Sequence, residues 1–90
     1  MKRTILFFFF ILFSTVQLSQ AEILKKYQVI GNDRVSKQTI INFTNTDLNK
    51  NLSEKDLNKI LKNLYETTFF KDVSLNLKEG TLTINVKEYP

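Results

Sequence analysis

The order of patterns along the chain predicts an α+β fold in which two helices lie on one face of a three-stranded mixed sheet. Three observations carry this. A helix-start signature at Leu52–Leu57 opens an apolar stripe of helical period. Two alternating runs, residues 70–77 and 81–87, flank a Glu79–Gly80 turn and read as an antiparallel hairpin with one buried face. A run rich in β-branched and aromatic residues, 23–30, comes before both.

The chain opens with Lys2 and Arg3, continues through an apolar run from Ile5 to Val16, and reaches Ser19-Gln20-Ala21. A charged start, an apolar middle and small residues at minus three and minus one make the layout of a secretory signal peptide. The sequence therefore predicts a signal over residues 1–21, cleavage between Ala21 and Glu22, and a single domain over 22–90. A retained membrane anchor is the alternative. Spanning hydrocarbon takes roughly 20 apolar residues, and the run here is only 12 long. On this reading the four phenylalanines at positions 7–10 serve export and not a core.

In the first strand, Ile23, Lys25, Tyr27 and Val29 alternate with Leu24, Lys26, Gln28 and Ile30. Gly31-Asn32-Asp33 breaks the run with turn residues. Ser36 is suited to cap a short helix from Lys37 to about Phe43, with Ile40, Ile41 and Phe43 inward. Residues 44–51 form a polar, asparagine-rich connection. The long helix, residues 54–67, has Ser53 as N-cap and Asp56 in the place of the capping-box carboxylate. Leu52 and Leu57 stand at the hydrophobic-staple positions, and Leu57, Ile60, Leu61, Leu64 and Tyr65 share one stripe. In the hairpin, Val73, Leu75, Leu77, Leu82, Ile84 and Val86 point inward. If the third strand lies in the middle, it runs antiparallel to the second and parallel to the first, and the far face of the sheet stays wet.

Composition narrows the chemistry. The chain carries +4, and without Lys2 and Arg3 the remainder holds 11 basic against 9 acidic residues, too mild a balance to argue for nucleic acid. Cysteine and histidine are absent, so disulfides and His-based metal or general-base chemistry are excluded. An exported domain of 69 residues without disulfides suits a bacterial envelope, or a module with neighbours to lean on. Carboxylates such as Asp33, Asp47 and Asp56 lie in turns and helix starts. No nucleophile motif or phosphate loop accompanies them, so no enzyme and no cofactor is expected. Asn42-Phe43-Thr44 and Asn51-Leu52-Ser53 match glycosylation sequons, which an asparagine-rich chain produces by chance.

Three segments, Val29 to Ser36, Leu64 to Val73 and Gly80 to Pro90, together resemble the POTRA family, most of all the first POTRA domain of the outer-membrane protein assembly factor BamA. The resemblance covers nearly all of residues 23–90. It implies a βααββ domain in the periplasm or at the cell outer membrane, placed before a β-barrel. Its implied partners are unfolded outer-membrane proteins, other assembly-complex subunits and adjacent POTRA domains. Within the family, a division protein of the FtsQ kind or a two-partner secretion transporter is the alternative setting. A transmembrane barrel needs about eight strands or more, so the chain is expected to be either a piece of a longer protein, the favoured reading, or a free-standing module. Membrane association would then come only through that barrel or through a retained N-terminal segment. One departure from the pattern is Thr68, where family members usually carry glycine. Either the helix ends differently here, or Thr68 holds a left-handed conformation at a cost of roughly 1 kcal/mol.

A three-stranded sheet has two edges with unpaired backbone groups, onto which an extended client can add as a further strand. The sequence nominates the second strand: Phe70, Lys71, Asp72, Val73, Ser74, Leu75, Asn76 and Leu77. Lys71 and Lys78 near its ends would alternatively discourage pairing. A proline at Ser74 or Asn76 is expected to remove a donor from that edge.

Overall fold

The computed structural model describes residues 21–90. The proposed signal segment lies outside the described residues except for Ala21, which is exposed and directly precedes the first strand. The elements are β1 (Glu22–Ile23), β2 (Lys26–Ile30), α1 (Lys37–Thr44), β3 (Asn51–Leu52), α2 (Glu54–Glu66), β4 (Phe70–Lys78) and β5 (Thr81–Glu88).

The main sheet has the order β2-β5-β4, with β5 parallel to β2 and antiparallel to β4. The last strand therefore takes the middle, as the sequence predicts. Glu79 (φ 52°) and Gly80 (φ 79°) form the two-residue turn, and two positive φ values match the right-handed twist of the strands they join. Register brings inward residues into rows across three strands. Leu82 stands between Tyr27 and Leu77, and Ile84 between Val29 and Leu75. The central member of each row is fully buried and the flanking members are half-buried. Ile40 of α1 and Ile60 and Leu64 of α2 complete the core over the same face. Gln28, Ser74, Asn76 and Asn85 occupy the other, exposed face.

The run 23–30 is not one strand. Ile23 pairs with Asn51 in a separate two-stranded sheet, β1 with β3, and the chain kinks at Leu24–Lys25 before β2 begins. The reason is phase. Leu24 is fully buried and Tyr27 also faces the core, yet strict alternation puts them on opposite faces. The N–H groups of Lys25 and Lys26 both donate to the Gly80 carbonyl, at 2.7 and 3.1 Å, and this local irregularity resets the phase. Leu24 N–H donates to Lys50 O and Leu24 O accepts from Asn49 N–H, so its buried backbone is paired. The polar connection of residues 44–51 thus ends in a short strand that covers Leu24.

Both helices begin as their caps dictate. The Ser36 hydroxyl accepts from Thr39 N–H. Ser53 and Asp56 complete a reciprocal capping box, with Asp56 N–H on Ser53 Oγ at 3.3 Å and Ser53 N–H on the Asp56 carboxylate at 2.9 Å. The Ser53 backbone N–H, followed by the Ser53 hydroxyl 3.0 Å from Oδ2, holds the Asp56 carboxyl below its ordinary range. Helix α1 ends one residue later than expected. Thr44 is buried in its last turn, with its hydroxyl donating to Ile41 O at 2.6 Å.

Candidate client-binding edge

Helix α2 lies over β4, and β4 forms one edge of the sheet. Which backbone groups that edge offers follows from the hairpin. Lys78 and Thr81 flank the two-residue turn, so they exchange ladder hydrogen bonds, and every second pair behind them does the same: Asn76 with Thr83, Ser74 with Asn85. The N–H and C=O groups of Val73, Leu75 and Leu77 then point away from β5. Val73 shows this directly, because its N–H meets a side chain outside the sheet. Proline at Ser74 or Asn76 therefore does not act on the open side of the edge, contrary to the expectation from sequence. A proline at Ser74 or Asn76 removes a bond to β5, whereas one at Leu75 or Leu77 removes an outward donor.

The eight nominated residues are not equivalent. Phe70 and Val73 are buried, Leu75 and Leu77 are half-buried, and Lys71, Asp72, Ser74 and Asn76 are exposed. Phe70 and Val73 are three apart, an odd spacing that regular pleating would split between faces. A register shift between Phe70 and Asp72 reconciles them: Phe70 opposes Glu88 and Asp72 opposes Lys87, leaving Lys71 as the extra residue of a β-bulge. Phe70 can then enter the core beneath α2 together with Val73.

Tyr65 closes the bulged end. Its hydroxyl accepts from Val73 N–H at 3.0 Å and lies 3.3 Å from Val73 O and 3.2 Å from Asp72 Oδ1, either of which can take its proton. The ring itself is partly exposed. On periodicity alone Tyr65 is the rim of an apolar stripe. Its partner follows from the hairpin ladder, which turns the Val73 N–H and C=O away from β5.

The end of the sheet where β5 exits carries a second constellation that sequence reasoning missed. The Glu88 carboxylate accepts the successive backbone N–H groups of Asp33, Arg34 and Val35. Three consecutive donors form an anion-binding nest, filled here by the chain's own side chain. These bonds, Asp33 foremost, hold the Glu88 carboxyl below its ordinary value. Arg34 donates to the carbonyl of Tyr89 at 3.3 Å. Gly31 (φ 88°) supports this loop, because a Cβ there would collide with the Val86 carbonyl oxygen. Beside the nest a cleft of about 590 Å³ runs past Val35, Phe69 and Tyr89.

Thr68 resolves the question raised by its departure from glycine. It adopts φ 63°, so the left-handed conformation is kept without glycine. Its N–H donates to Tyr65 O, one of the two bonds of a Schellman ending. The other is relayed: the Thr67 hydroxyl donates to Leu64 O at 2.7 Å and accepts from Phe69 N–H at 3.3 Å. Two adjacent threonines thereby replace a glycine stop.

Solved structures share this architecture. The chain superposes on POTRA1-2 of the periplasmic domain of Omp85 from Anabaena with a TM-score of 0.67 and 12% identity, covering 81% of this chain and 50% of that one. The fold is the POTRA fold of Omp85 proteins. The N-terminal domain of Omp85 from Thermosynechococcus elongatus gives a TM-score of 0.60 at 23% identity, over 74% of this chain and 34% of that one. Among curated proteins, the outer membrane protein assembly factor BamA of Neorickettsia risticii (strain Illinois) is 29% identical over 63 residues. That match takes in 70% of this chain but only 8% of the relative's length. No family model matches the chain. In this POTRA fold the βααββ core is β2, α1, α2, β4 and β5, and the β1–β3 pair is a small accessory sheet.

Proposed function

We propose that this POTRA domain is a non-catalytic, periplasmic binding module of the outer-membrane β-barrel assembly machinery, and that it receives unfolded client segments along the β4 edge. The observation that carries the reading is the outward backbone of Leu75 and Leu77 on an edge strand of the POTRA fold. Both side chains are half-buried, whereas their central partners Ile84 and Leu82 are fully buried. An added strand would pair the free backbone groups and finish covering the flanking leucines. The guest best suited to this alternates apolar residues, against the leucine side, with polar residues beside Ser74 and Asn76. Strands of transmembrane barrels have that pattern. The similarity to BamA favours the assembly machinery over the division-protein setting. The signal peptide of residues 1–21, with cleavage at Ala21–Glu22, belongs to the same reading and would deliver the domain to that compartment.

Photo-crosslinking of an unfolded outer-membrane protein to the full chain tests the edge. Leu75→Pro and Leu77→Pro, each confirmed as folded by circular dichroism, should each reduce crosslinking at least tenfold. Crosslinking equal to that of the native chain in both variants would sink the reading.

A further inference from the structure

Within the β4 edge, we infer that Tyr65 is a register stop: it confines an added strand to the hairpin half of β4 and fixes where that strand ends. This rests on the edge reading above and goes further by assigning a positioning residue to it. The outward backbone groups on β4 belong to Val73, Leu75 and Leu77. The Tyr65 hydroxyl occupies the space beside those of Val73: it accepts the N–H at 3.0 Å, and its one proton goes to the carbonyl, 3.3 Å away, or to Asp72 Oδ1. A guest strand continuing past Leu75 toward Phe70 would have to displace that hydroxyl. Displacement is costly in a specific way. It breaks the bond to Val73 and removes the hydroxyl from Asp72 Oδ1, 3.2 Å away.

The bulge reinforces the stop. Lys71 is unpaired in the β4–β5 register, so the edge beyond Val73 does not continue the regular spacing a straight guest needs. The hairpin half has neither obstacle. From Asp72 to Lys78 the register is unbroken, and Leu75 and Leu77 lie in it with half-buried side chains. The accessible edge therefore offers two donors and two acceptors, the N–H and C=O groups of those two leucines. Such a short footprint suits transient capture of an alternating apolar–polar segment, and the stop gives every guest the same frame. Side chains that must face the leucines do so in each case, because a shift by one residue would turn them to the wet face.

Amide hydrogen exchange on the full chain, with and without a synthetic ten-residue peptide of alternating valine and threonine, decides this. In the native chain the peptide should slow exchange at Leu75 and Leu77 at least tenfold and leave Val73 as it was. In Tyr65→Phe, which keeps the ring and removes only the hydroxyl, Val73 should exchange at least tenfold faster without peptide and should join the protected set with it. Peptide protection of Val73, Leu75 and Leu77 alike in the native chain would overturn the stop and leave the edge reading standing. Protection at none of the three would overturn both. If Tyr65→Phe does not fold, the native footprint decides alone.

Discussion

The two edge strands of the sheet face the same central strand yet are held in place by different means. Strand β4 is fixed locally, by a two-residue turn and an antiparallel register with β5 that is unbroken from Asp72 to Lys78. Strand β2 has no such connection and is clamped at both ends by distant groups. The Gly80 carbonyl receives Lys25 and Lys26 at its start, and the Glu88 carboxylate receives Asp33 to Val35 just beyond its end. The difference shows which edge can be left open. A strand tied by its own hairpin can expose backbone to a guest and keep its place. One held by end clamps depends on its surroundings.

The comparison breaks first at the centre. Ile84 is fully buried between both edges, so Ile84→Ala should cost about 4 kcal/mol, whereas Leu75→Ala on the half-buried flank should cost about 2 kcal/mol. Urea denaturation of both variants checks the ratio, and equal losses would mean that the edge is already as enclosed as the middle. Gly31→Ala attacks only the β2 clamp. With a positive φ and the Val86 carbonyl beneath it, it should cost about 3 kcal/mol and speed amide exchange in β2 before β4. Thr68→Gly should stabilise by about 0.5–1 kcal/mol, because it relieves a left-handed β-branched residue and loses only the hydroxyl contact to Thr67 O.

Glu88→Gln gives the smallest effect and the most specific signature. Folding lowers the Glu88 pKa from its ordinary value of 4.5, so its contribution is present above that value and is lost as pH falls through the lower folded value. The stability difference between the native chain and Glu88→Gln should be largest near neutral pH and vanish in acid. Asp56, also depressed, is common to both chains and cancels from the difference. A pH-independent difference would show that charge is not what holds the nest.

Much of the fold was legible because its signals are local. The capping box at Ser53–Asp56, the staple, the stripe of α2 and the alternation about Glu79–Gly80 each need only a few neighbouring residues. What the sequence concealed depends on pairings far apart in the chain. The phase reset at Leu24–Lys25 exists because Gly80 accepts both lysine N–H groups. The Lys71 bulge exists because Phe70 and Val73 share a core, and Tyr65 takes its role because the hairpin ladder turns the Val73 backbone outward. The edge strand itself could be named from strand order. Which of its residues face outward could not, since that parity is set by the hairpin ladder.

The parallel pairing of β2 with β5 has a kinetic consequence. Gln28 meets Thr83 across a separation of 55 residues, and loops of that length close slowly and set the pace of folding. A chain emerging N-terminus first can wind α2 early, but β2 finds no partner until β5 has appeared. Until then β2 is itself an extended segment in need of a strand to lie against, the same predicament as the guests assigned to β4.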